Sequence, residues 1–182
     1  MLKENKVELA LAWAKNQIGK YVQPCRTIGC KYNPNQAGNI ACKTPIPAPD
    51  KDDVKKNNIE DGHSLWNFYC MRFVRTSYGV QSEYPKAEDM YQALKQKGLI
   101  STDINIPVGA LIFWHWSSFG HIGIYTGNGK VIHTGVNPKL NKKGIRESAL
   151  GEITEVLNGY NIAEGQKTSY LGWAYPPENW LK

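Results

Sequence analysis

Cys70, His121 and His133 are the residues of this chain whose types combine into nucleophilic chemistry. A thiolate attacks a carbonyl carbon. An imidazole within reach takes the thiol proton and later returns one to the leaving group. A second imidazole can hold the first in orientation. Cys70 sits early in "NFYCMRFVRTSYG". There a helix N-terminus would favour the thiolate through the positive end of its dipole. The two histidines flank a turn in "GHIGIYTGNGKVIHTG". Each residue also has a plainer account. A cysteine in an apolar helix packs in a core, and a strand histidine is a partly buried sheet residue.

The elements that must position them follow from hydrophobic periodicity. Trp66, Tyr69, Cys70, Phe73, Val74 and Ser77 recur at helical spacing, predicting a helix that starts near Ser64 or Asn67 and ends at Gly79. Val7, Leu11, Ala14 and Ile18 form one stripe of an earlier helix over 3–19, with Gly19 as its stop. A third helix is expected at about 86–97. From Pro107 the period changes to two. "GALIFWHW", "HIGIYTG" and "KVIHTG" read as three antiparallel strands, and "TSYLGWAYP" as one more. Asn128-Gly129 is the hairpin signal. A plain two-residue turn there pairs His133 with Ile124 and His121 with Val136. The histidines are then offset by about three residues and share a face only if twist or register shifts.

Helices first and a sheet later is an α+β layout. A length of 182 residues fits a single domain, 1–182. Residues 21–62 interrupt it with three cysteines, prolines and no period. We read about 22–62 as a cysteine-bearing insertion beside the site, since a structureless loop of about forty residues is uncommon in a compact domain. Cys25, Cys30 and Cys42 match no common zinc spacing. Outside the cytosol a disulfide among them, leaving one unpaired, is favoured over a zinc site completed by His63; no metal or cofactor is expected. His63 and His115 read as surface or loop residues.

The hydrophobic and charged fractions, 41% and 21%, are those of an ordinary globular chain. No apolar run is long enough to span a bilayer. The start of the chain carries Glu4 and Glu8 and lacks the apolar region of a secretion signal. The expectation is a protein exported without a classical signal, released by lysis, or a mature secreted form. A net charge of +6 suits a polyanionic surrounding, among them an acidic wall polymer.

The run "PVGALIFWHWSSFGHIGIYTGNGKVIHTG" resembles the core of NlpC-type papain-like cysteine peptidases. Their pattern is a P-G-D-L-V-F-F strand, then H-V-G-I-Y-x-G-N-G-x-x-I-H-A. Pro107, Gly109, Leu111 and Phe113 match the strand. His121, Gly123, Ile124, Tyr125, Gly127, Asn128, Gly129, Ile132 and His133 match the hairpin. "YCMRFV" is similar to the family's D-C-S-G-F-V at Cys70, Phe73 and Val74, and "IGKYVQ" to its G-x-x-Y. The resemblance covers about 10–22 and 66–135.

The resemblance implies a papain-like fold, with N-terminal helices and the nucleophile helix packed on a C-terminal antiparallel β-sheet. It implies Cys70 as nucleophile, His121 as general base and His133 as the orienting residue. The Cys70 backbone N–H and the Tyr21 hydroxyl would serve the oxyanion. Tyr69 stands where the family has an acidic residue that reads a free amine on the substrate. That replacement points away from the family's usual γ-D-glutamyl cleavage. The expected activity is hydrolysis of an amide in peptidoglycan stem peptides, in the periplasm or at the cell wall, by a monomer. The expected partners are peptidoglycan or its fragments and an inhibitor or immunity protein, with no nucleic acid. The alternative is an acyltransferase, deamidase or transglutaminase-like enzyme on a protein or lipid. Trp66, Tyr69, Trp114, Trp116 and Phe119 are candidates for stacking on sugar rings or for core or pocket wall.

Overall fold

A computed structural model describes residues 2–20, 69–80, 83–135, 144–158 and 168–182. The insertion, with Tyr21, Cys25, Cys30, Cys42, His63 and Trp66, lies outside the described residues. Among the described residues three helices come first: α1 (Leu2–Lys15), α2 (Cys70–Ser77) and α3 (Ala87–Gln96). Strands β1 (Leu111–His115), β2 (His121–Gly127), β3 (Lys130–Thr134) and β4 (Ile145–Ala149) follow. Helix α4 (Leu150–Asn158) and strand β5 (Ser169–Ala174) close the fold. The five strands form one antiparallel sheet in the order β4-β3-β2-β1-β5. This is the expected papain-like α+β arrangement.

The sheet is buried on both faces. Leu111, Phe113, Ile122, Ile124 and Ile132 join α1, α2 and α3 in one core. Ile112, Trp114, Val131 and Trp173 point the other way and pack beneath Ile153 and Leu157 of α4. Period-two alternation is therefore masked in β1, where Leu111 to Trp114 are all buried. Alternation reads cleanly only when one face meets water.

Helix α2 begins later than its apolar spacing predicts. Tyr69 has non-helical backbone angles, and its carbonyl accepts the first helical bond, from the Phe73 N–H at 2.9 Å. Cys70 is thus the first helical residue. The far end closes as expected at Gly79, whose φ is +69°. Val80 N–H bonds the Arg75 carbonyl and Gly79 N–H that of Thr76, a Schellman closure. Helix α1 stops at Lys15. Gly19 N–H then bonds the Ile145 carbonyl at 2.8 Å, tying this segment to β4.

The β2–β3 register also departs from a plain hairpin. Asn128 and Gly129 both have positive φ, 50° and 68°, as a type I′ turn requires. Gly127 pairs with Lys130, but Tyr125 then pairs with Val131. Thr126 is the extra residue of a β-bulge. Its hydroxyl bonds Glu147 Oε1 at 2.8 Å, while the Lys130 carbonyl lies 3.3 Å away. Beyond the bulge His133 pairs with Gly123 instead of Ile124. Since faces alternate along a strand, this one-residue shift puts His133 on the face that His121 occupies.

Candidate active site

Cys70 opens α2, where the first amide groups of a helix have no carbonyl partners within it. Phe73 and Val74, a turn further on, are fully buried against the sheet and press the helix onto β2. The thiol reaches the β2 backbone at Ile122, one residue past His121. Burial pushes it up to about 11, against backbone hydrogen bonds from Ile122, Met71 and Cys70 that pull it down. Desolvation outweighs the helix terminus here, so the resting sulfur is a protonated thiol.

His121 starts β2 straight after Gly120, whose φ of +66° turns the chain out of β1. A Cβ on Gly120 would stand 2.8 Å from the Glu88 backbone nitrogen, so the glycine lets the start of α3 approach. The imidazole is completely buried. Its ring centroid lies 5.8 Å from that of Trp114 and 6.3 Å from that of Trp116. These two tryptophans are wall, not exposed stacking platforms. Phe119 is exposed, with the Lys86 ammonium 5.1 Å from its ring centre.

His121 Nε2 and His133 Nδ1 are 3.0 Å apart, with the two rings nearly perpendicular. His133 Nε2 is in turn 3.0 Å from Ser148 Oγ, and Arg146 Nε donates to the same oxygen at 2.8 Å. Among the described residues His121 Nδ1 has no hydrogen-bond partner. No hydrogen bond joins it to the Cys70 thiol. Burial pulls His121 down to about 3. Burial, with His121 and Arg146 nearby, holds His133 well below the usual histidine range. Both rings are neutral at pH 7.

Of the residues singled out in the sequence, the structure brings His121 and His133 into contact and sets Cys70 against the same strand. Tyr69, half-buried, packs against the helical core. His115 is not a loop residue: it ends β1, half-buried. Ser148 and Arg146 were not foreseen. They lie on β4, where "IRESA" has neither the apolar run nor the turn signal that marks the other strands. Its one clue is that Arg146 and Ser148, two apart, must share a face. Among the described residues no three His, Cys, Asp or Glu side chains converge as a metal set. Nor is any described helix long and apolar enough to cross a membrane.

No curated protein and no solved structure gives a significant match to the chain. Residues 60–155 match the NlpC/P60 family, and that span holds α2, the β2–β3 hairpin and β4. With more than half of its 182 residues in that match, the chain belongs to the NlpC/P60 family and has that family's cysteine peptidase or amidase class of chemistry.

Proposed function

We propose that the protein is a cell-wall hydrolase that cleaves an amide bond in peptidoglycan stem peptides. Cys70 is the nucleophile, His121 the general base and His133 the residue that orients it. The observation that carries this reading is the asymmetry of His121. One ring nitrogen is held by His133, and the other is buried and, among the described residues, has no partner. The thiol bonds the backbone of Ile122, the neighbour of His121 in β2.

The resting pair is a neutral thiol and a neutral imidazole, so attack and proton transfer occur together. His121 Nδ1 takes the thiol proton as sulfur bonds the carbonyl carbon. The Cys70 N–H at the helix start and the Tyr21 hydroxyl stabilise the developing oxyanion. His121 then protonates the departing amine. Water, activated by the same ring, hydrolyses the thioester.

The positive net charge suits a polyanionic wall. The enzyme acts in the periplasm or at the cell wall as a monomer, reached by export or lysis, and an inhibitor or immunity protein protects its producer. Purified protein is incubated with peptidoglycan of several wall types, and new amine and carboxyl ends are identified by mass spectrometry. Wild-type protein should release fragments that Cys70→Ala does not. Identical products from the two, or none on any wall, would sink the reading.

One feature favours a second reading. Tyr69 takes the place of an amine-reading acid, and hydrophobic packing holds it there. A substrate without a free amine fits that wall, as in acyl transfer or deamidation of a protein or lipid. Transfer to an added amine that exceeds hydrolysis would favour it.

A further inference from the structure

We propose that Ser148, held by Arg146, is a positioning residue that sets the proton arrangement of the His121–His133 pair. The inference rests on His121 being the base. A base needs its lone pair at Nδ1, so its ring proton must be on Nε2, donated to His133 Nδ1. His133 must then carry its own proton on Nε2. That N–H needs an acceptor, and the atom 3.0 Å away is Ser148 Oγ. Reversing the chain would put the His121 proton on Nδ1 and leave no lone pair for the thiol.

The serine is placed for this by sheet geometry. His133 pairs directly with Arg146 across β3 and β4, and Val131 with Ser148. Ser148 is therefore the diagonal neighbour of His133 on the same face, and it is buried. Its oxygen has two lone pairs. Arg146, a donor only, takes one at 2.8 Å and anchors the hydroxyl. The second lone pair accepts from His133. The guanidinium also opposes a positive charge on His133. A proton taken from Cys70 accordingly stays on His121.

The test reads the imidazoles and the thiol directly, with no substrate. In protein carrying 15N-labelled histidine, long-range proton–nitrogen spectra should show His121 and His133 each protonated on Nε2. A His133 protonated on Nδ1 would overturn the proposal. Ser148→Ala should mix the His133 tautomers and slow alkylation of Cys70 by iodoacetamide at pH 7 about tenfold, the scale of one buried hydrogen bond. Ser148→Thr, which keeps the hydroxyl, should restore the wild-type tautomers and bring the rate to within about twofold. Wild-type tautomers and rate in a folded Ser148→Ala would overturn the assignment. If Ser148→Ala does not fold, the wild-type and Ser148→Thr spectra decide it, because altered tautomers in Ser148→Thr count against it. His121→Ala separates this proposal from the one beneath it. Unchanged alkylation there refutes the base itself, whereas slowed alkylation there with no change in Ser148→Ala refutes only the serine.

Discussion

Gly123 stands directly across the β2–β3 ladder from His133. A Cβ on Gly123 would lie 2.5 Å from Val131 Cγ1, 3.0 Å from the Ile132 carbonyl oxygen and 3.1 Å from His133 Cβ. The bare backbone leaves the His133 ring room to lean along the strand to His121. Contact between the two imidazoles depends on that space as well as on the bulge at Thr126.

Gly123→Ala should therefore harm both stability and reactivity. Overpacking of this kind costs about 1–3 kcal/mol, seen as a lower urea midpoint. Displacement of His133 should also slow Cys70 alkylation. A variant as stable and as reactive as the wild type would show that the glycine is dispensable.

The residues of the proposed triad should fall in a definite order. Cys70→Ala should have no cleavage above background. His121→Ala should lose about 10²- to 10⁴-fold in kcat/KM, the contribution of a positioned base. His133→Asn keeps an acceptor for His121 and should outperform His133→Ala. If His133→Ala is the equal of His133→Asn, orientation through this contact is not the role of that residue.

Acid should destabilise the protein earlier than carboxylates alone would. Burial depresses His121 to about 3 and His133 well below 6.5. The unfolded chain then binds more protons below about pH 6.5, so stability present above that pH is lost as pH falls toward 3. Each histidine contributes up to about 1.4 kcal/mol per pH unit in that window. Urea midpoints between pH 7 and pH 5 should fall, and His133→Asn should flatten the fall. Midpoints independent of pH over that range would contradict the burial of neutral rings.

The thiol should show no ion-pair signature at rest. Its ordinary value of 9.0 is raised by burial to about 11. The thiolate absorbance near 240 nm that Cys70→Ala removes should appear only above about pH 9, not as a plateau between pH 4 and pH 7. The same shift removes stability as pH rises from 9 through 11, because the unfolded thiol ionises first. Thiolate absorbance at pH 6 would contradict a neutral resting pair.

Much of this was legible in sequence. The Gly79 stop, helix α3, three of the central strands and the Asn128-Gly129 turn rest on local rules of period, glycine conformation and turn chemistry. Tyr69 and Cys70 were harder. Both fit the apolar stripe, and only backbone geometry made one the cap and the other the first helical residue.

The sequence by itself determined which residues could react and the order in which they come: a cysteine early in a helix, then two histidines around a tight turn. Only the tertiary structure decided that the histidines touch. The turn signal fixes how a hairpin closes, but Thr126 bulges where Glu147, from β4, takes its hydroxyl. That contact joins residues distant in the chain. The roles of Ser148 and Arg146 arise the same way, across the β3–β4 ladder. So does the depressed basicity of both rings, which comes from their burial, with Trp114 and Trp116 beside His121 and Arg146 acting on His133. Local spacing carries no information about such closures, because they depend on how whole elements pack.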